Sequence, residues 1–189
     1  PLVWISRFNP LSFLATAYVE ILRSTPVIVQ VFIIYYGVFG IVQLPSFQMF
    51  GFIKFNRFFP GVVALGMNSG AYLCEIMRAG IQSIDQGQTE AARSLGLNAR
   101  QTMIHIVLPQ AVKNILPALC NEFVAIVKET SLASTFFIGE LMTQFKTING
   151  LTFRVLEPLT IVGIIYFGVT FIMSKLIALL ERRMNASER

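Results

Sequence analysis

The sequence predicts an all-α, polytopic helical membrane protein, and three observations carry that prediction. Of 189 residues, 54% are hydrophobic and only 13% are charged, about half of the roughly 25% usual in soluble domains. The mean hydropathy is +0.66. The apolar residues also fall in long runs, such as the 18 uncharged residues from Val27 to Leu44, close to the roughly 20 that cross a bilayer core. A disordered chain, a coiled coil and an ordinary soluble enzyme are all disfavoured by this composition.

Four spans are predicted. Ser24 or Thr25 can cap a first helix with Pro26 in its first turn, and Val27 to Leu44 then spans. Pro45 to Phe59, carrying Lys54 and Arg57, reads as a connecting loop. A second span runs from about Pro60 to Arg78 and contains Gly66-x-x-x-Gly70. That spacing lets two helices approach closely, although glycine is common in membrane helices generally. The third span, about Leu108 to Thr135, holds Pro109 and Pro117 and is expected to bend or break. Phe136 to Glu157 reads as a loop, and Pro158 to Leu180 as a last span stopped by Glu181, Arg182 and Arg183.

Charge placement orients these spans. One side holds nine basic residues: Arg7, Arg23, Arg78, Arg93, Arg100, Lys175, Arg182, Arg183 and Arg189. The other holds four: Lys54, Arg57, Lys146 and Arg154. The richer side is expected to be the cytoplasm, which places the 85–108 loop and the C-terminus there. Scattered basic residues give no stripe for nucleic acid. Cys74 and Cys120 lie in apolar segments and read as packing residues, not as a disulfide or metal framework.

The cytoplasmic loop carries the sharpest signal. Asp85 with Gln88 resembles a capping box, and a helix from Gly87 to Leu95 can end at Gly96 in the left-handed conformation. Asn98 with Gln101 looks like a second cap. Ala91, Ala92 and Leu95 would give the first helix a small apolar patch, beside Glu90 near its N-terminus. Such a patch suits either docking against a partner or lying on the membrane surface.

The residues Glu90-Ala91-Ala92, then Gly96, Ile106 and Leu108-Pro109, match the EAA loop of ABC importer permeases at every fixed position. The chain resembles a permease of the polar amino-acid uptake family, with supporting stretches at Arg23 to Gln30, Asn68 to Tyr72 and Lys128 to Leu132. The resemblance covers essentially all of 1–189 as one transmembrane domain of type I importer (MetI-like) architecture. It implies that Glu90, Ala91, Ala92, Leu95 and Gly96 belong to a coupling helix that docks on a separate ATPase subunit. Family members usually carry a further span before the equivalent of Pro26, so a first span is expected to be missing. The resemblance also implies partners: an ABC ATPase dimer that holds ATP and Mg, an extracytoplasmic amino-acid-binding protein on the two outer loops, and a second permease chain in the lipid of a bacterial inner membrane.

Polar residues inside spans are costly and mark cavities or partners. In the second span Asn68, Tyr72 and Glu75 share one helical face. They could meet a substrate zwitterion, hydrogen-bond another helix or, for Glu75, pair with Arg78. In the third span Asn114, Asn121 and Lys128 recur every seven residues, with Glu122 and Glu129 one residue over. Asn121 and Glu122 are the substrate-path candidates there, while Lys128 and Glu129 read as a structural ion pair or gate. His105, the single histidine, falls on the loop with no triad or metal set around it. No P-loop motif is present, so the chain itself is expected to bind no cofactor and to need a partner for ATP hydrolysis. An intramembrane hydrolase would need a Ser–His or paired-Asp set within the spans, whereas the single Asp, Asp85, and His105 both lie in the loop. A passive channel or membrane scaffold would keep the spans but has no need for the capped loop.

Overall fold

The computed structural model describes residues 10–49, 51, 53–136 and 138–186. Eight α-helices in these residues follow the order α1 Pro10–Ser24, α2 Val27–Phe32, α3 Phe55–Gln82, α4 Gln86–Ser94, α5 Ala99–Thr102, α6 Leu108–Glu129, α7 Leu141–Thr152 and α8 Leu156–Ala186. Two short strands, β1 Gln48–Met49 and β2 Ile53–Lys54, pair antiparallel ahead of α3.

α1 and α2 meet at 112°, with Pro26 extended between them. Pro26 cannot donate a backbone hydrogen bond, and its neighbour Thr25 is biased away from helix. α2 continues as a π-turn over Ile33–Val38 and stops there, six residues short of the expected end at Leu44. Gly40 follows, at a point where a Cβ would strike the carbonyl of Tyr36.

α3 begins five residues earlier than expected, and at 28 residues is about 42 Å long. It forms the centre of the bundle, packing against α1, α2 and α6. Its buried residues are mostly small, Ala64, Ala71 and Gly80 among them, as suits helices that associate in lipid by close backbone approach. A Cβ on Gly80 would run into the side chain of Ile115 on α6, whereas Gly66 has nothing within 4 Å. Gly70 faces the Tyr18 hydroxyl of α1, 3.1 Å from where its Cβ would sit. Close packing therefore involves Gly80, Gly70 and also Gly61, whose Cβ would meet the Ile138 side chain, and Gly66 takes no part.

The third span is not broken. One helix runs from Ala99 to Phe136, 38 residues, changing from α5 to a π-turn over Met103–Val107, then α6, then a 3-10 turn over Thr130–Phe136. The wider π-turn ends just before Pro109, and Leu108 N–H donates back to the Met103 carbonyl. Pro109 then sits in the first turn of α6, where its missing N–H costs nothing. Pro117 lies inside α6 without interrupting it.

Both connecting loops hold structure of their own. The two strands and the first turn of α3 lie within 45–59, with Phe47 stacked on Phe55 and Phe55 on Phe59 at 4.7 and 5.3 Å between centroids. The 136–157 loop contains α7, whose N-cap is Glu140, an acceptor for the N–H groups of Met142 and Thr143. Among the described residues, Ala99–Phe136 and Leu156–Arg182 are long and apolar enough to cross a membrane, and the bent α1–α2 pair adds a third candidate. α3 is less apolar, carrying Asn68, Glu75 and Arg78 along its length.

Candidate functional site

The loop between α3 and α6 is built almost wholly from local hydrogen bonds. Asp85 Oδ1 accepts from Gly87 N–H at 2.6 Å and caps α4. The reciprocal half of a capping box is absent, since the Gln88 amide oxygen lies 3.5 Å from Gln110 Nε2 on α6 instead. α4 closes on Gly96, whose φ is +87°. Gly96 N–H donates to Arg93 and Leu97 N–H to Ala92, at 3.0 and 3.2 Å. These two bonds are a complete Schellman motif, which the left-handed glycine makes possible. Asn98 and Gln101 then form a full capping box at 2.9 Å in both directions and start α5.

The expected docking residues separate into two faces. Ala92 is buried against the chain itself, while Glu90, Ala91, Leu95 and Gly96 are exposed. Ala91 and Leu95 lie one turn apart, and Ala92 is rotated away from them. Leu95 is 82% exposed on this short polar helix. His105, exposed, has its Nδ1 3.0 Å from the Gln101 carbonyl.

The polar face of α3 meets α1 and α2. Asn68, 1% exposed, donates through Nδ2 to Gln30 Oε1 at 3.0 Å. Gln30 Nε2 reaches the carbonyls of Leu22 and Thr25 at 2.6 and 3.0 Å, joining the end of α1, the bend and α3 in one network. Asn68 Oδ1 is buried with no hydrogen-bond partner. Glu75 pairs with Arg78, as one of its expected roles, and also forms an ion pair with Arg23 at 3.3 Å. The same Arg23 guanidinium lies 5.9 Å from the centre of the Tyr72 ring. Glu20, Arg23, Glu75 and Arg78 border a cavity of about 480 Å³ between α1 and α3.

Asn121 and Glu122 lie apart from this set. Asn121 is exposed and Glu122 half-buried on α6. Among the described residues, no hydrogen bond or ion pair links them to Asn68, Tyr72 or Glu75. Their neighbour Asn114 donates to Ser83 Oγ at 2.8 Å, tying α6 to the end of α3. Lys128 and Glu129 form no ion pair with each other. Adjacent residues on a helix do not face one another, which defeats the expected pairing. Sequence reasoning missed Gln30 and Arg23 as partners of α3. A lone amide in an otherwise apolar span was the available signal for Gln30.

Residues 3–186 match the family of binding-protein-dependent transport system inner membrane components. The chain belongs to this family. The permease is 38% identical over 184 residues to the arginine transport system permease protein ArtQ of Bacillus subtilis, covering 97% of this chain and 80% of that one. It is 40% identical over 195 residues to the nopaline transport system permease protein NocM of Agrobacterium fabrum, covering 100% and 78%. A crystal structure of an amino acid ABC transporter with histidines superposes with a TM-score of 0.84 at 42% identity, over 95% of the permease and 79% of that chain. The MetNI methionine ABC transporter, inward facing, shares the fold with a TM-score of 0.70 at 17% identity, over 95% and 78%. The permease is therefore a transport subunit of MetI-like fold.

Proposed function

We propose that this permease is the membrane-spanning subunit of an ATP-binding-cassette importer that moves a polar amino acid into the cytoplasm by alternating access. The observation that carries this reading is the loop: two capped helices joined through a left-handed glycine, presenting Glu90, Ala91 and Leu95 outward. An exposed leucine on a rigid, polar helix suits a groove on a partner protein. The names of the relatives, an arginine and a nopaline permease, support an amino-acid or amino-acid-derived substrate.

In this reading α4 is the coupling helix, and Glu90, Ala91, Leu95 and Gly96 form its docking face. Ala92, buried, faces the chain itself. ATP and Mg belong to a partner ATPase dimer, and this chain carries no hydrolytic site. A second permease chain completes the pathway, and an extracytoplasmic binding protein docks on the hairpin and α7. The loop and the C-terminus face the cytoplasm of a bacterial inner membrane, as the basic residues favour. Tyr72, Glu75, Asn121 and Glu122 line the substrate path, with Asn68 in its wall. The test is ATP hydrolysis by the permease reconstituted in lipid with its ATPase and binding protein, measured against a panel of amino acids. Stimulation by one or two polar amino acids is the expected result. A flat response from a competent ATPase would remove amino acids from the claim.

A further inference from the structure

Gly61 stands seven residues before Asn68, on the same face of α3 and towards the end remote from the coupling loop. Three segments meet there. A Cβ on Gly61 would come within 2.8 Å of the Ile138 side chain and 3.1 Å of the Tyr35 hydroxyl. That hydroxyl donates to the Arg57 carbonyl, which ties the π-turn after α2 to the first turn of α3. The Tyr35 ring lies flat on Phe136, with centroids 3.5 Å apart and planes 6° apart. Phe32 meets Phe136 edge-on at 5.4 Å, and Tyr36 meets it at 5.6 Å and 60°.

Phe136 is the last residue of the helix that begins at Ala99. The ring cluster therefore joins an element rooted in the coupling loop to α2 and α3. Gly61 lies about 31 Å along α3 from Gln82, where that loop begins. The polar face of Asn68, Tyr72 and Glu75 runs between the two. Apolar rings at the outer end of a polar face form a barrier to a polar solute, because they strip its water and return no hydrogen bonds. Ring contacts also lose much of their attraction over about 1 Å of separation. A stack of this kind is either made or unmade.

We propose that the stack of Tyr35 on Phe136 is an outer clasp that holds the pathway shut towards the extracytoplasmic side until the helix ending at Phe136 shifts. Tyr35 is fixed to α3 through Arg57, Phe32 and Tyr36 seat the opposing ring, and Phe136 is the part that leaves. The clasp rests on the reading of the permease as an alternating-access importer, and it names residues that set the balance between its two states. A contact made only in the resting state sets how often the complex cycles without substrate.

The test uses the permease–ATPase complex in lipid nanodiscs, with its binding protein added or withheld. Phe136→Ala removes the three ring contacts and should raise ATP hydrolysis without binding protein about three- to tenfold. Phe136→Tyr keeps the ring and should stay within about twofold of the wild type. A lower melting temperature with an unchanged unstimulated rate would mark the cluster as packing alone and overturn the clasp. Where Phe136→Ala fails to fold, a reversible lock decides. Tyr35→Cys and Phe136→Cys are combined, with Cys74 and Cys120 replaced by serine, and joined by a short cleavable thiol reagent. Uptake should fall about tenfold or more on linking and return on cleavage. Uptake unchanged by the link would overturn the clasp. With a wild type that takes up amino acids, either negative result overturns the clasp alone. A wild type that takes up no amino acid would overturn the importer reading as well.

Discussion

The coupling loop and the α1–α2 bend are both rich in polar groups, but they satisfy them over different distances. In the loop, the capping partners lie within five residues of one another, as in Asp85 with Gly87, Asn98 with Gln101 and Leu97 with Ala92. At the bend, Gln30 joins Asn68, 38 residues away, and Arg23 joins Glu75. Local bonds hold a shape that does not depend on the bundle. Long-range bonds hold an arrangement of helices and fail together when one helix moves. The first suits a part that transmits force. The second suits a part whose angle changes.

Four substitutions sharpen that contrast. Gly96→Val places a β-branched residue at φ +87°, a conformation costing about 1–2 kcal/mol for ordinary L-residues. Substrate-stimulated ATP hydrolysis should fall about tenfold or more, with membrane insertion unchanged by protease protection. Equal loss of insertion would place Gly96 in the fold of the bundle, not in coupling. Asn68→Leu removes the long-range bond and leaves the Gln30 oxygen unpaired. The expected destabilisation is about 1–2 kcal/mol, read as a lower melting temperature of the purified permease. Removal of the orphaned Asn68 oxygen offsets part of this. A melting curve unmoved by Asn68→Leu would show that the bend is held by packing alone. Asn98→Ala removes one cap, at a cost of about 1 kcal/mol. Faster hydrogen exchange should then be confined to α5 and the π-turn, and spread into α3 would contradict the local character of the loop. Leu95→Ala should change stability by less than about 0.5 kcal/mol, since the side chain is 82% exposed. Its effect should appear in weaker co-purification of the ATPase.

Legibility in the sequence followed the same division. The left-handed Gly96 and the Asn98–Gln101 box were readable because their chemistry is complete within a few residues. The bundle itself was readable from apolar runs and the fixed residues of the EAA loop. Ala92 was grouped with the outward patch, because the sequence does not say which side of α4 the rest of the chain will cover. Asp85–Gln88 looked like a full box until Gln110, 22 residues on, offered Gln88 another neighbour. α7 was hidden because Glu140, less usual as a cap than Ser, Thr or Asn, begins it. Pro109 suggested a break because a proline is destructive in an α-helix interior, and the π-turn places it at a beginning instead.

That unbroken helix from Ala99 to Phe136 has a mechanical consequence. At the α-helical rise, 38 residues make a rod of about 55 Å, with α4 strapped to one end and the 3-10 turn at the other. A continuous helix that moves as one piece converts rotation into travel. Tilting it by about 5° about its foot carries the far end through roughly 5 Å, taking that length. A displacement the size of one helical turn at Ser131 and Ser134 thus needs only a slight rocking of the segment that the ATPase would grip.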